Sequence, residues 1–221
     1  MNQSIDRRPT LGTSAEVGVR PNWDLDTITQ GFISHAEELA RLSLDCISSC
    51  TTEVVRSTVV VADALRRGGK VMACGNGGSA ADAQHFVAEF VGRYSGDRIP
   101  MPAISLTSDS SVLTALGNDY GFEEVFARQV RALAQPADVF VAISTSGRSS
   151  NILKAISAAH DLGVGVIVLT GESAALSLEN QDVWCRVRST STSHVQEVHT
   201  MILHSICIGV EKLFDFGKIE K

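Results

Sequence analysis

His85 and Glu89 stand four residues apart in the run CGNGGSAADAQHFVAE, Cys74–Glu89. On a helix, positions i and i+4 share a face. An imidazole and a carboxylate placed so can move protons together or hold a metal ion. The same run carries Gly75-Asn76-Gly77-Gly78-Ser79. A glycine-rich turn between a strand and a helix N-terminus offers free backbone N–H groups and the positive end of the helix dipole. Those suit a phosphate. A second loop, Ser144-Thr145-Ser146-Gly147-Arg148-Ser149, places four hydroxyls in six residues. With its amides it suits the same ligand, the plain alternative being a capped helix start. The sequences GxxxxGK[ST] and GxGxxG are both absent, so the phosphate fits a small substrate better than a nucleotide.

The C-terminal segment supplies Gln196, Glu197, His199 and His204 among Met201, Ile202, Leu203, Ile206, Ile208 and Val210. A helix this apolar should be mostly buried, so a histidine on it is either a satisfied core group or a site residue. Both readings stay open for His204; His199 reads as satisfied or exposed. Gln196 and His204, at i and i+8, lie on roughly the same face. Asn118-Asp119 reads as a turn or a ligand contact. Arg93 and Arg98 follow the first loop helix and could meet phosphate or carboxylates, with a surface pair expected for Arg98.

These residues need a scaffold. Short apolar runs at 70–74, 103–106, 138–144, 164–170 and 182–187 read as strands. Helices are expected between them, over 79–92, 108–117, 122–133, 149–162 and 173–180, and a long one over 193–214. Residues 24–67 read as a helical hairpin, broken near Thr51-Thr52 and closed by Gly68-Gly69. Residues 1–22, with Arg7-Arg8-Pro9, Gly12, Gly18 and Pro21, read as a flexible tail, and 23–221 as one domain. Strands alternating with helices imply a mostly parallel sheet covered on both faces, with both loops at strand C-terminal ends, where such sheets bind ligands.

Composition narrows the function. The chain has 221 residues, a net charge of −6 and 44% hydrophobic residues. That is enough for one large core, and without a basic excess nucleic acid is not an expected partner. No apolar run is long enough to span a membrane, and the N-terminus has no apolar signal core. Five cysteines without C-x-x-C spacing read as buried, reduced thiols of a cytoplasmic protein.

Taken together, CGNGGSAADAQHFVAEFVGRY (74–94), LTALGNDYGFEEVFARQV (113–130), ISTSGRSSNILKAI (143–156), VIVLTGES (166–173) and VQEVHTMILH (195–204) resemble the phosphoheptose isomerase family. The resemblance covers nearly all of residues 26–215. It implies the sugar-isomerase (SIS) fold, a three-layer αβα sandwich around a five-stranded sheet. It also implies conversion of D-sedoheptulose 7-phosphate to D-glycero-D-manno-heptose 7-phosphate, in a homotetramer with sites at subunit interfaces. Glu89 and His204 match the family's catalytic pair. Asn76, Gly77, Gly78, Ser79, Glu89, Arg93, Asn118, Asp119, Ser144, Thr145, Ser146, Ser149 and Gln196 match positions implied to bind substrate. His85, Glu89, Gln196 and His204 match zinc positions, one ion per subunit. Ser193 stands where some members carry Asp. Gln196 and His204 lie about 12 Å apart along one helix at ~1.5 Å per residue, so for one ion to take both, either two subunits contribute or the helix is irregular there; two subunits fit an interface site. The same fold also serves a non-catalytic replication-initiator-binding group, which lacks the equivalent of Glu89, and sugar-phosphate-sensing regulators. Glu89, His85, Gln196 and His204 together favour the enzyme.

Overall fold

Val71–Gly75 (β1), Ala103–Ser105 (β2), Val139–Ser144 (β3), Gly165–Thr170 (β4) and Val183–Arg186 (β5) form one sheet in the order β2-β1-β3-β4-β5. Every pairing is parallel. The computed structural model describes residues 24–214 apart from Ala175, Ser177 and Asn180. The expected tail over 1–22 lies outside the described residues. Helices fill the intervals as Leu25–Arg66 (α1), Gly78–Val91 (α2), Ser110–Tyr120 (α3), Ala127–Leu133 (α4), Ser150–Asp161 (α5) and Thr192–Leu213 (α6).

Alternation along each strand sorts the core into two layers. Val71, Ala73, Val139, Val141, Ile143, Ile167 and Leu169 pack with α1, α2 and α6. Met72, Cys74, Phe140, Ala142, Val166 and Val168 pack with α4 and α5. β1 and β3 are adjacent, Gly75 opposite Ile143, yet the chain leaves β1 for β2 on the far side before returning to β3. The order therefore reverses between β1 and β3, and the loops after them open a crevice at their C-terminal ends. Those loops are the two phosphate-type loops of the sequence.

Four expectations need correction. The N-terminal hairpin is one helix of 42 residues. The Ser48–Thr52 cluster, which looks like a break, returns its hydroxyls to the backbone one turn earlier. Ser48 and Ser49 donate to the Asp45 carbonyl and Thr51 to that of Ile47, so the helix keeps its polar groups satisfied. α3 does not end at Gly117-Asn118-Asp119 but runs through them to Gly121, which adopts φ +88°, a conformation only glycine holds without strain. The single helix over 122–133 is a 3-10 turn at Phe122–Glu124 followed by α4. Val125, Phe126 and Ala127 are all buried, and three consecutive buried residues are more than one helix face can cover. The expected helix over 173–180 has no helical residue among those described.

Candidate active site

Three helices begin at the crevice. α2 starts after Gly77, α5 after Ser149 and α6 after Ser191, and none of these N-cap residues spends a side chain on capping. Free N–H groups and three positive dipole ends thus point at one place. The cavity there, about 340 Å³, is lined by Asn76, Gly77, Gly78, Ser79, Ser144, Thr145, Ser146 and Ser149, with Thr192 and Gln196 from α6. Ser149 stands at the N-cap of α5, but its hydroxyl makes no cap bond and is left unspent at the cavity wall. Ser144 and Ser146 accept bonds from the Gly147 and Arg148 amides, which shape the loop and leave their own protons to donate. The arrangement suits a phosphate.

Asn76 has a different use. Its amide exchanges two hydrogen bonds with buried Asn151, 2.9 and 2.8 Å. The pair locks the loop after β1 to the start of α5, and Asn151 Oδ1 also accepts from the Ile152 amide at 2.9 Å. Sequence reading missed Asn151. Its one signal is an amide in the first turn of a helix that follows a binding loop.

From the cradle, α2 and α6 run side by side in three rungs. At the first, Gln196 lies over Gly78 so closely that a Cβ on residue 78 would come within 2.4 Å of its Nε2. At the second, the Thr200 hydroxyl donates to Asp82 Oδ1 at 3.0 Å. At the third, His85 Nε2 meets Glu89 Oε1 at 2.9 Å and His204 Nε2 at 3.4 Å. The rings of His85 and His204 meet edge to face with centroids 4.9 Å apart. Tyr94 leans over His204 at 5.4 Å. The structure thus brings His85, Glu89 and His204 together from two helices, and puts Gln196 at the cradle instead. Glu89 is mostly covered, at 19% side-chain exposure, while His85 is at 48%.

One nitrogen of each histidine and one Glu89 oxygen lie within 4.8 Å of one another. Two ligands on a tetrahedral zinc with bonds of ~2.0–2.1 Å stand about 3.4 Å apart, the spacing of the two imidazole nitrogens here. A mixed nitrogen and oxygen donor set also suits that ion. Asp82 stands one turn before the cluster on α2. Burial raises its pKa, while the Thr200 hydroxyl, His85 and His204 pull it down. Its Oδ2 is buried with no partner among the described residues. Asp82, His85 and Glu89 at i, i+3 and i+7 could have been read as one face.

Two other residues differ from expectation. Arg98 is no surface pair: it is 7% exposed. It binds Glu211 Oε1 at 2.8 Å and donates to the carbonyls of Glu89, Phe90, Gly92 and Ile99. It closes the C-terminal end of α2 onto α6 and so fixes the backbone that carries Glu89. His199 is fully buried, yet neither ring nitrogen makes a hydrogen bond of normal geometry. Burial lowers its pKa to about 4, against a weaker pull from the nearby Thr170 carbonyl. It is therefore a neutral core group, neither satisfied nor exposed.

Among the described residues Arg93 bonds to the Ser95 carbonyl, beyond the third rung. Asn118 and Asp119 bond to each other on α3. None of these three lines the cavity.

A family model described as the SIS domain matches residues 35–171. The phosphoheptose isomerase of Campylobacter concisus is 47% identical over 191 residues, which are 86% of this chain and 95% of that protein. That of Rhodospirillum rubrum is 51% identical over 170 residues, 76% of this chain and 90% of the relative. The solved structure of the phosphoheptose isomerase from Neisseria gonorrhoeae superposes with a TM-score of 0.80 at 39% identity, covering 84% of this chain and 99% of that one. The chain belongs to the SIS-domain proteins and, among them, to the phosphoheptose isomerase family.

Proposed function

We propose that the protein interconverts D-sedoheptulose 7-phosphate and D-glycero-D-manno-heptose 7-phosphate through an enediol, the first step towards nucleotide-activated heptose. The observation that carries this reading is the pairing of an anion cradle with a carboxylate–imidazole cluster on one pair of helices. Isomerisation moves one carbon-bound proton from C1 to C2 and exchanges the protons on O1 and O2. Glu89 takes the C1 proton and returns it at C2. His204 gives a proton to the C2 oxygen as the enediol forms, and later takes one from O1. His85, bonded to Glu89, fixes the carboxylate rotamer. Thr145, Ser146 and Ser149 hold the phosphate with the amides of Gly77 and Gly78.

Zinc is the cofactor that this donor set supports, one ion per subunit, with His85, Glu89 and His204 as its ligands. When bound it would polarise the substrate carbonyl. Gln196 sits two rungs away in the same chain, so it would join from a second copy. Distance supports a shared site. Gly78 and Glu89 are about 16 Å apart along α2, further than an extended seven-carbon phosphate reaches. Arg93, Asn118 and Asp119, remote from this chain's own cavity, are then free to meet substrate held by a neighbour. α1 leaves Phe32, Leu44, Ile47 and Val55 exposed, Phe32 at 74%. An apolar stripe of that kind suits burial between copies, as a homotetramer requires. Among the described residues no helix is long and apolar enough to cross a membrane, and all five cysteines are free; both accord with work in the cytoplasm.

Incubation with sedoheptulose 7-phosphate, with and without added zinc, tests the reading by detection of the aldose product. Turnover is expected. No turnover under either condition, with saturable binding of a replication initiator, would move the chain to the binding class.

A further inference from the structure

We propose that His35, His194 and Glu197 form a second site for a first-row divalent transition ion, at the junction of α1 and α6 and separate from the His85–Glu89–His204 cluster. One nitrogen from each histidine and one Glu197 oxygen lie within 4.8 Å of one another. His35 Nε2 contacts Glu197 Oε1 at 2.8 Å. The second carboxylate oxygen, Oε2, is buried and has no partner among the described residues, so the carboxylate has unused acceptor capacity where water does not reach it. His194 Nδ1 is held by the Ser191 hydroxyl at 3.0 Å, the kind of outer contact that orients a ligating imidazole. Its Nε2 makes only a long contact, 3.3 Å, to the His35 carbonyl.

Two imidazoles and a carboxylate select zinc, cobalt, nickel or copper over magnesium or calcium, which take oxygen ligands. Three protein ligands leave a fourth position for water. The two rings now stack, with centroids 4.2 Å apart and planes 24° from parallel. An ion lies in the plane of each imidazole that binds it, so loading requires one ring to turn. His194 is the one that moves, because its Nε2 holds only the long contact to the His35 carbonyl, whereas His35 Nε2 already meets Glu197 at 2.8 Å. The place gives the ion a use. Residues 25–34 of α1 are exposed, and His35 is the first residue of that helix with partial cover. The trio is thus the outermost clasp between α1 and the first turn of α6, next to Gln196.

Untagged full-length protein, stripped with chelator, tests this by zinc equilibrium dialysis and by the visible absorption of bound cobalt(II). A His85→Ala/His204→Ala variant, which lacks the other cluster, should still take up one equivalent per chain. Adding His35→Ala or Glu197→Gln should weaken that uptake at least tenfold and remove the cobalt bands. If the double variant does not fold, wild type should bind two equivalents and His35→Ala one. Equal uptake by wild type and His35→Ala, or no uptake by a folded double variant, would overturn the proposal.

Discussion

At the cradle end of the α2–α6 pair, Asn76 and Asn151 exchange two side-chain hydrogen bonds, Ser79 and Ser144 are buried, and three helix N-termini converge. Two rungs away, Glu89 and His204 meet a half-exposed His85 on the surface of the chain. The first region is finished within one chain. The second is open and has room for a neighbour. Binding needs a rigid arrangement of donors that a single fold can supply. In the proposed roles, Glu89 and His204 must also exclude water, and a second copy of the chain would do that. The far end is rigid all the same: Glu211 takes bonds from Arg98, Ser95 and the Tyr94 amide, and clamps α2 to α6.

Each end has its own variants, and the kinetics should separate them. Glu89→Gln keeps the size of the side chain and removes the base. Its kcat should fall about 10²- to 10⁴-fold, with KM for sedoheptulose 7-phosphate little changed. Ser149→Ala should do the reverse. Ser149 makes no cap bond, so the melting temperature should hold, while loss of a charged hydrogen bond of ~1.5–3 kcal/mol raises KM about 10- to 150-fold. A melting temperature that drops with unchanged KM would make Ser149 a structural cap and break the comparison.

Asn151→Ala should weaken the cradle end through its frame. It leaves the Asn76 amide without its buried partner, at a cost of about 1–3 kcal/mol. Urea unfolding should show that loss, and KM should rise with it. The smallest effect belongs to the clamp. Burial alone would raise the Glu211 pKa, but bonds from Ser95, Arg98 and the Tyr94 and Ser95 amides outweigh it and hold the group at about 2. A depressed carboxylate stabilises the fold above its unfolded pKa of about 4.5, and that share is lost as pH falls towards 2. Thermal melts between pH 6 and pH 3 should slope less in Glu211→Gln than in wild type. Parallel slopes would assign the acid sensitivity to other groups.

Much of this was legible in residue types. Five apolar runs bounded by turns became five strands, and the strand-to-helix loops were readable from glycines and hydroxyls. The spacing of His85 and Glu89 showed a shared face. What stayed hidden depended on partners distant in sequence. Asn151 meets Asn76 from 75 residues away, and Arg98 meets Glu211 from 113. Both look like ordinary polar residues until the helices are placed. The Ser48–Thr52 cluster misled because hydroxyls that favour turns satisfy themselves equally well inside a helix once the helix is packed. The rungs Gly78–Gln196, Asp82–Thr200 and His85–His204 follow from two helices leaving one crevice together. That is a property of the topology, which no window along the chain contains.

The most direct test of the account follows the migrating proton. Wild type and Glu89→Gln would be incubated with sedoheptulose 7-phosphate in deuterated water, and the products followed by proton NMR. Wild type should form the aldose, with deuterium at C2 only to the extent that the proton held by Glu89 exchanges with solvent before its return, and Glu89→Gln should form neither aldose nor exchanged ketose at a comparable rate. Aldose formed by Glu89→Gln at the wild-type rate would contradict it.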